Sequence, residues 1–236
     1  MSQHHEHSRV MFLYHVLGKM GREAKKQPLW RIMSTLIRSF IAVPLSAQIH
    51  QNLDTFTRQS GLISRDLGFK PVNAKIIHLT LKFLGEIDQN MVHAISETLD
   101  QVTAKFYPFA ASVRGIGAFP GWTNRVRVIW AGMEPADTLR SLYRTIDDAT
   151  VRLGVPPEGR EFSPHLTLVR VAFMTAGSEQ VISKLKTLAP QPDFGEFTVD
   201  RVVLFKSVLQ PQGPVYSVLS SHSFSADKNY AKIHPS

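Results

Sequence analysis

The chain has 236 residues, 43% hydrophobic and 19% charged, with a mean hydropathy of −0.08, which excludes a disordered or coiled-coil polypeptide. It has no cysteine, which removes disulfides, thiolate metal centres and a cysteine nucleophile, and no apolar run nears the roughly eighteen residues of a membrane-spanning helix. The net charge is +8, half of it carried by the first 35 residues, so the remainder is moderately basic and suits an anionic substrate.

Residues 1–35 hold four of the ten histidines and a basic stretch, without the order of a secretory signal. They read as an extension, disordered or dispensable, with Met33 a candidate natural start. From residue 36 to 224 the elements succeed one another regularly. Ser39–Pro44 is a short apolar strand closed by proline, and residues 46–67 repeat apolar side chains at helical spacing. Residues 75–84 form a second strand ended by Gly85; Asp88 caps a helix through about Lys105; Phe109–Ile116 is a third strand.

The order then restarts. Arg127–Ala131 is a strand, Asp137–Leu153 a helix, Ser163–Val171 a strand, 178–188 a helix, and Phe197–Leu204 and Val215–Ser220 are strands. From Ser225 the tail is polar and reads as frayed. The offset from Phe40 to His78 is 38 residues and that from Ile129 to His165 is 36. An α+β fold is expected: two pseudo-symmetric lobes, each a mainly antiparallel sheet with helices outside, around a central cleft.

The duplication carries the chemistry. His78-Leu-Thr-Leu81 recurs 87 residues later as His165-Leu-Thr-Leu168. Residues i and i+2 of a strand share a face, so each histidine points with its threonine, while the leucines face the opposite way. One neutral and one protonated imidazole make a general base and a general acid. In-line displacement at phosphorus needs these on opposite sides, with hydroxyls such as those of Thr80 and Thr167 on the nonbridging oxygens. A lone strand histidine is more often structural, but recurrence in equivalent strands argues otherwise. A two-histidine metal site lacks further ligands at i±2. No phosphate-binding glycine loop, dinucleotide fingerprint or serine elbow occurs.

The paired strands, Leu81-Lys-Phe-Leu-Gly85, Ser163-Pro164, Phe40-Ile-Ala-Val-Pro44, Gly115-Ile-Gly-Ala-Phe-Pro120, Arg127-Val-Ile-Trp130 and Gly213-Pro-Val-Tyr216 resemble the two-histidine phosphoesterase superfamily. Within it the chain is similar to the RNA 2′,3′-cyclic phosphodiesterases, also described as 2′-5′ RNA ligases. The resemblance implies hydrolysis of a terminal 2′,3′-cyclic phosphate to a 2′-phosphomonoester, with reversible ATP-independent 2′-5′ joining in some relatives. It implies His78 as proton donor, His165 as proton acceptor, and Thr80 and Thr167 on the phosphate. It also implies no cofactor or metal, RNA ends or nucleoside 2′,3′-cyclic phosphates as partners, and a cytoplasmic monomer away from membranes. Lys82 continues the His78–Thr80 face as a further cation. Arg127 and Arg125 could track RNA, and Phe40, Phe83 and Phe119 could stack on a base. Arg170 could clamp phosphate, although strict alternation turns it to the leucine face. The competing readings are a phosphodiesterase for a small nucleotide-derived cyclic phosphate and a non-catalytic RNA-end binding module.

Overall fold

The computed structural model describes residues 36–123, 125–159, 161–188 and 191–225. The expected N-terminal extension lies outside the described residues, as does the tail beyond Ser225. Ser225 itself is not frayed: its N–H donates to Phe106 O at 2.9 Å and its hydroxyl to Ala104 O at 2.7 Å.

The elements are β1 (Ile37–Pro44), α1 (Ala47–Gln59), β2 (Phe69–Pro71), β3 (His78–Ile87), α2 (Gln89–Thr103), β4 (Phe109–Phe119), β5 (Val128–Glu134), α3 (Ala136–Arg152), β6 (His165–Val171), α4 (Ala176–Lys186), β7 (Asp193–Val199), β8 (Arg201–Gln210) and β9 (Gly213–Ser223). Helix α1 ends at Gln59, well short of the residue 67 that its periodicity suggested. Gly61 adopts φ +75°, its N–H bonding to Arg58 O and that of Leu62 to Thr57 O. This glycine-dependent closure ends the helix in a way apolar spacing does not register. The expected strand 197–204 is two strands, broken at Asp200, and β2 is a short pairing element that periodicity missed.

Two antiparallel sheets form, with orders β3-β1-β8-β9 and β2-β6-β5-β4-β7. The lobes are therefore not the two halves of the chain. Strand β4 crosses to join β5, and β8 returns to join β1. The triplets β3-β1-β8 and β6-β5-β4 correspond, each holding two strands of one half and a third from the other. The pseudo-symmetry expected from the repeat survives, through an exchange of third strands.

Behind these sheets, α2 lies against β8 and β9, α3 against β3 and β5, and α1 against β7. Leu79, Leu81, Leu166 and Leu168 are buried, at roughly 1.5–3 kcal/mol each. A one-residue slip of either strand would expose its leucines and bury its histidine, so the core dictates which way the imidazoles face. On the helix side of the four-stranded sheet, His222 Nδ1–H donates to Asp100 Oδ1 at 2.6 Å and tethers β9 to α2. No helix among the described residues is long and apolar enough to cross a membrane.

Candidate active site

Each histidine opens its strand just after a feature that fixes the preceding carbonyl. Before β3, Asn73 Oδ1 accepts from Lys75 N–H at 3.1 Å and caps a single 3-10 turn, Ala74–Ile76. His78 Nδ1–H then donates to Ile76 O at 2.8 Å. Before β6, Ser163-Pro164 plays the corresponding part, and His165 Nδ1–H donates to Ser163 O at 2.7 Å. In both rings, anchoring Nδ1 to the carbonyl two residues back leaves Nε2 as the nitrogen available to exchange a proton.

Aromatic rings fix both imidazoles. Phe40 stacks on His78 at 4.6 Å, with Tyr216 edge-on at 5.3 Å and Phe205 at 6.1 Å. Phe119 meets His165 edge-on at 4.9 Å, and Trp130 lies 6.2 Å away. Burial is the main cause that lowers the His78 pKa from its ordinary 6.5; the nearby His50 adds to this, and the Ile76 carbonyl opposes it. Thr80 and Thr167 are half-buried, and neither hydroxyl has a partner among the described residues. Both stand where period-2 geometry puts them, beside their histidines.

Alternation then breaks at the same place in both strands. Ile41 pairs with Lys82 but Ala42 with Thr80, so Leu81 is an extra residue. Ile129 pairs with Val169 but Trp130 with Thr167, so Leu168 is its counterpart. Each bulge turns the following residues to the opposite faces. Lys82 therefore does not join the His78–Thr80 face. It is 1% exposed, ion-paired with Asp147 of α3, and donates to Pro156 O at 2.6 Å. Phe83 takes the outward place and is 60% exposed.

By the same shift Arg170, expected on the leucine face, is exposed on the His165–Thr167 face with no ion pair among the described residues. Phe40 is only 3% exposed, so it supports the imidazole rather than offering a platform to a base. Arg125 and Arg127 are exposed just ahead of β5, where Arg127 N–H donates to Phe119 O at 2.8 Å.

Four residues near the site escaped the sequence reading of candidates: Phe205, Tyr216, Trp130 and Arg38. The first two reach His78 only because β8 and β9 return to β1, which no local pattern announces. Burial raises the Tyr216 phenol above its ordinary value, while Arg170 and Arg38 act in the opposite sense. Arg170 belongs to one sheet and Tyr216 to the other, so the two histidine-bearing faces lie within electrostatic range of each other, and strands β3 and β6 are themselves in contact. Trp130 had a detectable signal, the glycine at 117 on the neighbouring strand: Gly117 pairs with Trp130, and a Cβ there would overlap the indole. The indole N–H has no partner among the described residues, and packing holds the ring. Gly117→Ala is expected to cost about 1–3 kcal/mol by overpacking and to displace the ring beside His165, readable as a lower melting temperature with a changed tryptophan emission; an unaltered emission spectrum would contradict it.

One family model, the LigT-like phosphoesterase, matches residues 43–130 and again residues 132–216, so each match takes in one His-Leu-Thr-Leu strand. The RNA 2′,3′-cyclic phosphodiesterase of Methanothermobacter thermautotrophicus is 32% identical over 183 residues, 77% of this chain and 95% of the relative. That of Thermotoga maritima is 32% identical over 190 residues, covering 80% and 96%. Among solved structures, a Thermus thermophilus protein superposes with TM-score 0.65 at 29% identity, covering 80% of this chain and 98% of its own. Escherichia coli LigT complexed with 3′-AMP gives 0.63 at 25% identity, covering 81% and 99%. The duplicated match, its two histidine strands and the shared architecture lead to one conclusion: the chain belongs to the LigT-like phosphoesterase family.

Proposed function

We propose that this chain hydrolyses the terminal 2′,3′-cyclic phosphate of RNA to a 2′-phosphomonoester, with His78 and His165 as its acid and base. The observation that carries this reading is the matched pair of imidazoles, each with Nδ1 tied to a carbonyl and a free threonine hydroxyl on the same face. It agrees with the names of the relatives, RNA 2′,3′-cyclic phosphodiesterases.

In the reaction, His165 Nε2 accepts a proton from water as the water oxygen bonds to phosphorus. The bond from phosphorus to the 3′ oxygen breaks in line, and the proton on His78 Nε2 passes to that oxygen. Thr80 and Thr167 donate hydrogen bonds to the nonbridging oxygens as charge gathers there. Arg170 lies on the same face and offers a forked cation to the phosphate; Phe83 offers an exposed ring to the terminal base. Replacing water by a 5′-hydroxyl gives 2′-5′ joining by the same proton transfers. Both proton transfers are assigned to side chains, so turnover should persist in EDTA. The enzyme is expected to act as a monomer in the cytoplasm.

Incubation of nucleoside 2′,3′-cyclic phosphates with the protein should yield the 2′-phosphate. Formation of the 3′-phosphate would reverse the leaving-group assignment; tight binding without product would favour an RNA-end binding module. Competition between RNA ends and small cyclic phosphates separates the alternative specificity.

The pH dependence has a defined sign. A proton donor must be protonated, and burial lowers the His78 pKa below about 6.5 in the free enzyme. The alkaline limb of kcat/KM, which reports the free enzyme, is therefore expected below about 6.5. A bound phosphodiester anion favours the imidazolium, so the alkaline limb of kcat should lie higher. Coincident limbs would show that the anion does not act on this ring.

A further inference from the structure

We propose that the face of the four-stranded sheet around His78 continues into a second nucleotide site, for the residue upstream of the cyclic phosphate, so that at least two nucleotides of the RNA end are held on this face. The proposal rests on the function above and specifies its substrate. Register sets out the site. Phe83 pairs with Phe40, Phe40 with Phe205 and Phe205 with Val218, one row across all four strands. Opposed residues of antiparallel strands share a face, so these side chains stand on the side of His78.

Farther along the β8–β9 hairpin, Ser207 pairs with Tyr216 and Leu209 with Pro214 on that same face. The middle of the row, Phe40 and Phe205, lies against the imidazole. Its ends do not: Phe83 and Val218 are each 60% exposed, and Leu209 is 65% exposed. On the opposite side of the same strands Ile41, Leu84 and Leu204 are buried. The sheet is thus well packed behind His78, and its most exposed apolar side chains stand on the reactive face, whereas Val208 and Val215, paired on the other face of the hairpin, are 42% and 48% exposed. Four strands spaced at about 4.8 Å make the row roughly 14 Å wide, more than one nucleobase covers.

Charge selects the occupant. Arg38, two residues from Phe40 on β1 and on its face, and Arg170 from the other sheet both act on the Tyr216 phenol. Glu86 stands opposite Arg38 in register, so the arginine is held beside an acid at the margin of the strip rather than within it. Cations bordering a flat apolar and aromatic surface are the arrangement that binds a nucleic-acid single strand, the bases on the surface and the phosphates on the arginines. The strip is continuous with the site of His78, where the chain's 3′ end must lie. A strand that places its cyclic phosphate at the histidines therefore lays its upstream base along Tyr216, Val218 and Leu209, with the intervening phosphate near Arg38.

The test compares kcat/KM for adenosine 2′,3′-cyclic phosphate and for a trinucleotide ending in the same group. The full-length protein should favour the trinucleotide by about tenfold or more. Leu209→Ser and Val218→Ser should each remove most of that advantage while the mononucleotide value stays within about twofold. Arg38→Gln should lower the trinucleotide value and flatten its dependence on salt. Equal values for the two substrates, or variants that keep the full advantage, would overturn the site. So would a Leu209→Ser protein whose sedimentation shows a dimer dissociating, since the strip would then be a protein interface. If neither substrate turns over, the reading of the histidines fails separately. Equilibrium binding then still reads the strip: tighter trinucleotide than mononucleotide binding, lost in Leu209→Ser, upholds it, and equal binding refutes it.

Discussion

Alanine at either His78 or His165 is expected to lower kcat for cyclic-phosphate hydrolysis by about 10²- to 10⁴-fold, the usual contribution of a positioned general acid or base. The two losses should differ in kind. His165→Ala removes the group assigned to water activation and should abolish the acidic limb of the pH–rate profile. His78→Ala removes the group assigned to the leaving oxygen. It should spare substrates whose leaving group needs no proton, so a phosphodiester with an activated leaving group would be cleaved far better than the natural cyclic phosphate. Combining both substitutions should cost less than the product of the two, because groups acting in one transition state are not additive. Threonine-to-alanine changes at 80 and 167 remove one neutral hydrogen bond each and should be milder. Steady-state kinetics at several pH values checks all of this. Wild-type rates in either histidine variant would dismiss the mechanism, provided the melting temperature shows a folded protein.

Removing the carboxylate of Asp147 should cost about 3–5 kcal/mol, the penalty for stranding a buried charge. Lys82 is 1% exposed and the Asp147 side chain 15%. Without its partner the ammonium keeps, among the described residues, the Pro156 carbonyl. Domains of this kind are stable by about 5–15 kcal/mol in total, so Asp147→Ala removes a large share and should shift the urea midpoint strongly. Lys82→Met should be milder, because the remaining carboxylate is nearer water and the thioether chain fills much of the lysine's volume. The pair joins strand β3 to helix α3, which also rests on β5; loosening it frees the bulge that turns Phe83 outward. Chemical denaturation of both variants tests the ordering. A loss below about 1 kcal/mol in Asp147→Ala would show that the charge escapes to solvent.

The same pair illustrates where reading along the chain stops. Alternation at period 2 correctly set His78 with Thr80 and His165 with Thr167, because three consecutive residues of an unbroken strand obey a local rule. Two residues past Thr80 and three past Thr167, the rule misplaced Lys82 and Arg170. A bulge depends on the hydrogen-bond register with a neighbouring strand, and register is not a local property.

What the sequence determined by itself was the proposed reacting set: a tetrapeptide repeated 87 residues apart, the amphipathic helices that cover its leucines, and hence an α+β protein with two imidazoles and two hydroxyls on strand faces. Those features follow from side-chain chemistry and short-range periodicity. Tertiary structure alone decided that β4 and β8 change places between sheets, that Phe205, Tyr216 and Trp130 pack around the imidazoles, and that a lysine is buried while an arginine and a phenylalanine face outward. Each of those outcomes is a pairing between distant segments, chosen by the burial and hydrogen bonding of the whole sheet.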